Sequence, residues 1–249
     1  MKRELLPAFF LLLRPLAAQA VPVSGEYASH LMVEQDVQVT ARMTGIIVTI
    51  HVERGVAVAK NQPLASLDAR ELELNIREAR EEMELRRAEL ERAKALAAGN
   101  ILSRAELDER QARYEVARAR HDKTKELRDR AIVRAPFAGV VSDRYARIGQ
   151  KVIEDENIPL FKVTASEPLL ARVYLPEEQL MKVKVGDPVE ILPVRFPAAK
   201  ATGTVQFISP TVDAGSGTFQ VLIRVKRGNS TVLRPGVAVR VRFSPDARS

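Results

Sequence analysis

Two short β-patterned stretches, 39–67 and 133–163, are separated by a charged helical stretch over 68–131. This interruption constrains the fold more than any other feature. Residues Ala41-Arg42-Met43-Thr44-Gly45-Ile46-Ile47 are matched, 94 positions later, by Ala135-Pro136-Phe137-Ala138-Gly139-Val140-Val141. Gly55 and Gly149 keep the same offset, as do Val58 and Val152. Pro63-Leu64 and Pro159-Leu160 are offset by 96, so two residues are inserted in the second copy. A half of about thirty residues cannot bury an apolar face alone, but two copies can close on each other as a flattened barrel or sandwich. The glycines mark tight turns or close backbone approaches.

Between the halves, Leu72, Ile76, Ala79, Met83, Leu90, Ala93 and Ala97 recur at heptad seam spacing, with Arg86 in the skipped position. The return leg carries Leu107, Tyr114, Ala117, His121, Thr124 and Ala131. Each leg of roughly 28 residues spans about 42 Å as a helix. The remaining faces are rich in Glu and Arg, as on a solvated two-helix stalk. Gly99 is expected to close the first helix in a left-handed conformation. Ser103-Arg104-Ala105-Glu106 reads as a capping box for the second.

Beyond 165 the pattern returns to β. Strands are expected at 169–175, 189–192, 203–208, 219–225 and 237–243, with a short helix over 176–183 opened by Pro176. Leu233-Arg234-Pro235-Gly236 is a type II turn signature. These elements suggest a closed β-barrel. Upstream, 21–36 is hard to assign beyond one short strand near 30–33.

Several function classes fall away. The net charge of +7 is mild for 249 residues, tryptophan is absent and aromatics are 5%. Stacking platforms for nucleic acid are therefore scarce. There is no cysteine, which excludes disulfides and thiolate metal sites. His30, His51 and His121 are scattered, and Met32, Met43, Met83 and Met181 do not cluster as a soft-metal site would. The Gly-x-Ser-x-Gly nucleophile pattern does not occur; Gly215-Ser216-Gly217 reads as a loop. Carboxylate pairs lie on exposed helix faces. No catalytic, cofactor or metal site is expected, and the chain reads as no enzyme.

Residues 1–20 look like an export signal. Lys2 and Arg3 form the charged start, 5–13 is apolar apart from Pro7, and Ala18-Gln19-Ala20 offers a small-x-small cleavage pattern. The apolar run is too short to span a bilayer.

The whole arrangement resembles the periplasmic adaptor subunits, or membrane fusion proteins (HlyD-like), of tripartite efflux pumps. The likeness is carried by 41–67, by Arg134-Ala-Pro-Phe-Ala-Gly-Val-Val141 and Gly149, and by Gly203, Pro210, Asp213 and Thr218 with Leu233-Arg-Pro-Gly236. It implies a mainly β protein with a long α-helical hairpin, elongated in shape. The parts would be a signal peptide (1–20), an N-terminal segment (21–36) and a split lipoyl-like, barrel-sandwich hybrid domain (37–67 and 132–165). An antiparallel coiled-coil hairpin (68–131) would be inserted in that domain, followed by a C-terminal β-barrel (166–244) and a tail (245–249). Lipoyl carriers bear cargo on a lysine at the turn that the hairpin here replaces, and neither junction shows one. The family's usual membrane-proximal domain is expected to be missing or vestigial.

The resemblance also implies partners. These are an inner-membrane transporter, of the resistance-nodulation-division type, and a TolC-type outer-membrane channel. Further copies would form a homo-oligomeric ring, a hexamer in the family. The location would be the periplasm of a Gram-negative bacterium. Family members that dock on such channels carry Arg, Leu four later and Ser seven after that at the hairpin tip. Arg92, Leu96 and Ser103 stand at that spacing. Each has a plain alternative: Arg92 as a solvated charge, Leu96 as packing for the turn, Ser103 as an N-cap. A scaffold or binding module unconnected to a pump would also suit a long charged hairpin.

Overall fold

A computed structural model describes residues 25–228 and 230–243. The export signal and the tail lie outside the described residues. Val33–Pro168 form one compact unit. The described parts of Met1–Met32 and Leu169–Ser249 form the other.

In the first unit the sequence repeat becomes a structural one. The first half supplies β2 (Asp36–Val39), β3 (Gly45–Ile50), β4 (Ala57–Val58) and β5 (Pro63–Leu67). The second supplies β6 (Ile132–Arg134), β7 (Gly139–Arg144), β8 (Lys151–Val152) and β9 (Phe161–Ala165). The strands pair into two four-stranded sheets, ordered β2-β9-β7-β4 and β6-β5-β3-β8. Exchanging the halves converts one order into the other. Each sheet therefore draws two strands from each half, and neither half can form a sheet alone.

The cross-hydrogen bonds obey the same exchange. The amide of Gly55 donates to the carbonyl of Val141 at 2.8 Å, and that of Gly149 to Ile47 at 2.8 Å. Equivalent residues also meet in one core. Ile47 and Val141 are fully buried, as are Leu64 and Leu160, and Val58 and Val152 are buried beside them. Phe161 is the largest side chain there. Gly55 and Gly149 both have φ above +80° with open space at their Cα, which is why glycine occupies both turns.

The interruption is a helical pair, α1 (Arg70–Ala98) and α2 (Arg104–Arg130). The thin seam between them buries Ala79, Leu90 and Ala93 of α1 and Ala117 of α2. Arg86 is half-buried at the skipped position and pairs with Glu82 at 2.8 Å and Glu89 at 3.1 Å. Glu89 lies 3.8 Å from Arg110 on the opposite helix. His121 is half-buried on the seam, its Nδ1 3.5 Å from Asp122.

The second unit is a closed six-stranded barrel. Its strands are β1 (Glu26–Val33), β10 (Leu169–Pro176), β11 (Pro188–Pro193), β12 (Ala201–Asp213), β13 (Thr218–Lys226) and β14 (Ala238–Phe243). They run in the order β1-β10-β13-β12-β11-β14. This alters two expectations. The short strand near 30–33 is eight residues long, Glu26–Val33, and is a member of the barrel rather than part of a separate segment. The helix expected over 176–183 is only a 3₁₀ turn, Glu177–Gln179. A segment this short gains little against the cost of nucleating a helix, and Gly186, at φ +95° and bonded to the Val205 carbonyl, ties the chain back to β12. The type II turn is present: Gly236 has φ +89° and the Val237 amide donates to the Arg234 carbonyl at 3.2 Å.

Candidate functional site: the hairpin tip

Five residues, 99–103, join the two helices. The expected left-handed residue is displaced by one. Gly99 has φ −84° and ψ 8°, and it is Asn100 that sits at φ +54°. Asparagine is among the few residues that tolerate this region. The displacement follows from the hydrogen bonds. The Asn100 amide donates to Ala97 O and the Ile101 amide to Leu96 O, both at 3.0 Å. These two bonds make a Schellman motif, with Asn100 in the position usually held by glycine.

The second helix starts as its capping box requires. The Ser103 hydroxyl accepts from the Glu106 amide at 3.2 Å, and the Ser103 amide donates to Glu106 Oε2 at 3.0 Å. The Ser103 hydroxyl also donates to Glu106 Oε2 at 2.7 Å. Hydrogen bonds from the Ser103 side chain, then from its amide, hold the Glu106 carboxyl below its ordinary value.

The anticipated site residues all lie at this end of the hairpin. Arg92 is exposed and makes no ion pair or hydrogen bond among the described residues. Its neighbour Lys94 is engaged with Glu91 at 3.0 Å. Leu96 is 44% exposed, and Ser103 is exposed but committed to its cap. Residue spacing alone overlooked Ile101, which is 75% exposed. Its signal was an apolar residue directly after a Gly-Asn turn, where a polar one would serve.

Elsewhere acids are similarly held. Arg242 and then Arg240 lower the carboxyl of Glu26, Arg70 lowers that of Asp68, and Ser216 lowers that of Asp213. A carboxyl depressed in the folded state stabilises fully above its unfolded value, and the contribution fades as pH falls through the folded one. The ordinary values are 4.5 for Glu and 3.8 for Asp. The melting temperature should thus be flat from pH 7 to about 5 and fall below about 4. A pH series of thermal melts checks this; a protein more stable at pH 3 than at pH 6 would contradict it.

The fold is a barrel-sandwich unit that carries a capped helical hairpin, together with a closed six-stranded barrel. Among the described residues no helix is long and apolar enough to cross a membrane. A family model described as CzcB-like, barrel-sandwich hybrid domain matches residues 35–164. One described as CusB-like, beta-barrel domain matches residues 171–247. The chain belongs to the membrane fusion proteins, of the resistance-nodulation-division type.

It is 35% identical over 108 residues to the UPF0194 membrane protein in the asrC 5′ region of Acidithiobacillus ferridurans, covering 43% of this chain and 29% of that one. It is 24% identical over 227 residues to the multidrug resistance protein MdtA of Proteus mirabilis, covering 83% of this chain and 55% of the relative. The chain thus spans about half or less of the length of these relatives. In structure it is similar to a MacA-MexA chimeric protein containing the Pseudomonas aeruginosa MexA α-hairpin domain. The TM-score is 0.76 and the identity 18%, over 90% of this chain and 80% of the other.

Proposed function

We propose that this protein is a periplasmic adaptor linking an inner-membrane efflux transporter to a TolC-type outer-membrane channel. It acts as a structural link and turns over no substrate. Several copies stand side by side as a ring, and their hairpin tips, through Arg92, Leu96 and Ser103, engage the channel. The exported compound need not touch the adaptor, so its identity is set by the transporter. The export signal over 1–20 and cleavage near Ala20 fit this location, in the envelope of a Gram-negative bacterium.

The observation that carries the reading is the tip itself. Both helix ends are fully capped, so the turn is rigid, yet Arg92 and Leu96 are left exposed upon it. A rigid end bearing a free guanidinium and an apolar side chain is suited to docking at low entropic cost. Arg92 and Leu96 lie four residues apart on one helical face.

Cysteine crosslinking in cells between the tip and the channel tests the proposal. Arg92→Ala and Leu96→Ser should each lower the crosslinked yield at least tenfold and lower tolerance to the pump's substrates, with helicity unchanged. Wild-type yields in both variants would overturn it.

A further inference from the structure

We propose that the groove between α1 and α2 near the base of the hairpin binds a phosphate monoester, its dianion held by Arg80, Lys125 and Arg128 and its organic part lying against Ile76. The site is independent of the adaptor reading above, and its test uses neither channel nor transporter.

The first argument is the seam at this level. Ala79 and Ala117 are buried, but the next seam positions of α2 are His121 and Thr124, both half-buried. The Thr124 hydroxyl is spent on the His121 carbonyl at 2.7 Å. The His121 side chain is only 14% exposed, and its Nδ1 lies 3.5 Å from Asp122. Its Nε2 makes no hydrogen bond among the described residues. An imidazole so covered, with one nitrogen unpartnered, leaves a hydrogen-bonding position open. The helices form a groove of about 410 Å³ at this place, lined by Ile76, Arg80, His121, Lys125, Arg128 and Asp129.

The second argument is charge. Arg80 on α1 and Lys125 on α2 are exposed and make no ion pair or hydrogen bond among the described residues. Glu84, four residues after Arg80, is paired with Arg87 at 3.7 Å. Arg128 donates from Nη1 to Asp129 at 3.3 Å and keeps its other N–H groups. Three cations against one carboxylate leave a net +2 on the lining, His121 aside. This is not the ordinary state of the stalk. A second groove, further out along the hairpin, carries Arg86, Arg113 and Arg120. Each of those is engaged: Arg86 by Glu82 and Glu89, Arg113 by Glu109, and Arg120 by Glu78. Only the groove near the base holds cations from both helices without acids to neutralise them.

The third argument is the match to a ligand. Two guanidinium groups, one from each helix, offer planar forks to phosphate oxygens, and the ammonium adds a point charge. A net +2 balances a phosphate monoester, which carries nearly two charges at neutral pH, better than it balances a carboxylate. The groove has the size of small-molecule sites, about 300–1,000 Å³, so it has room for an organic group beside the phosphate. Ile76 supplies the apolar surface for that group. A ligand held from both sides ties α1 to α2 where their seam is polar.

The test is calorimetric titration of the whole chain with phenyl phosphate and with phenylsulfonate, which has a similar shape and one charge. Phenyl phosphate should bind about tenfold more tightly. Arg80→Gln and Lys125→Gln should each weaken its binding about fivefold or more. Lys123→Gln removes the same charge from an exposed, unpaired lysine outside the groove, and should bind within about twofold of wild type. Amide exchange over 76–83 and 117–128 should slow when phenyl phosphate is bound, because both helices hold it. Flotation with phosphatidylcholine vesicles, with and without phosphatidic acid, identifies the source of the phosphate. Retention that requires phosphatidic acid and is lost in Lys125→Gln assigns a lipid headgroup; phenyl phosphate binding without retention assigns a soluble ester. No binding of phenyl phosphate, wild-type binding by both Arg80→Gln and Lys125→Gln, or an equal loss in Lys123→Gln overturns the inference. The adaptor reading stands in each of those cases.

Discussion

Gly139→Ala should destabilise the barrel-sandwich unit by about 3 kcal/mol, whereas Gly45→Ala, at the equivalent place in the other half, should cost less than about 1 kcal/mol. The sequence repeat makes these two glycines interchangeable, 94 positions apart. Their surroundings do not. Gly139 opens β7, an interior strand, and is paired with Val58 on one side and Ala165 on the other. A Cβ there would lie 2.5 Å from the Thr164 carbonyl oxygen and 3.0 Å from its carbon. Both are backbone atoms held by the ladder, so relief requires β9 to move. At Gly45 the nearest atoms are Cβ and Cδ1 of Leu67, both at 3.3 Å, so a shift of a few tenths of an ångström relieves the contact. Neither glycine has a positive φ, so the difference is one of space. Denaturant melts of the two variants should show the midpoint shifted for Gly139→Ala with little change in slope. Equal shifts would mean that the halves are equivalent in packing as well as in sequence.

That asymmetry marks what the chain discloses on reading. The offset of 94 locates Ile47 against Val141 and Val58 against Val152, because a core built from two copies must bury the same positions twice. It does not say which glycine meets a backbone, since β3 and β7 are both interior strands and only the close approach of Thr164 to Gly139 tells them apart. The stalk was legible through its period and caps. Ser103 and Glu106 stand three apart, and that local chemistry suffices for a capping box. The C-terminal end of α1 was less so, because Gly99 and Asn100 can both turn left-handed and only the bonds to Leu96 and Ala97 choose between them. Arg92 and Leu96 emerge as exposed, and Ser103 is exposed and bonded within its cap. β1 was hardest to see. Its inward residues include Ser29, Leu31 and Val33, and its outward ones include Ala28 and Met32, so alternation of apolar and polar is blurred. Its partners lie far along the chain, which no local pattern can report.

The strand the pattern hid should prove the most sensitive part of the second unit. Leu31→Asp is expected to unfold the barrel, and Leu31→Ala to cost about 2–5 kcal/mol. Leu31 is 2% exposed, and β1 is the stave between β10 and β14. Its pairing with β14 runs from Glu26 opposite Arg242 to His30 opposite Ala238. Beyond that ladder the Leu31 amide donates to Val237 O at 2.9 Å, and its carbonyl accepts from Gly236 at 2.7 Å. On the other side the buried Ser29 hydroxyl donates to the Arg172 carbonyl of β10 at 2.7 Å. The outer-face pairs of Glu26 with Arg240 and Arg242 are exposed and cannot hold the strand by themselves. Removing the apolar plug at Leu31 therefore releases β1, and two strand edges open together with the core they cover. Hydrogen exchange is the measurement that separates this from a general loss of stability. Peptides from β10 and β14 should lose protection in Leu31→Asp, while those from β5, α1 and β7 in the other unit keep theirs. Unchanged protection in β14 would mean that the barrel closes without its first strand, and that Glu26–Val33 is an accessory to the fold.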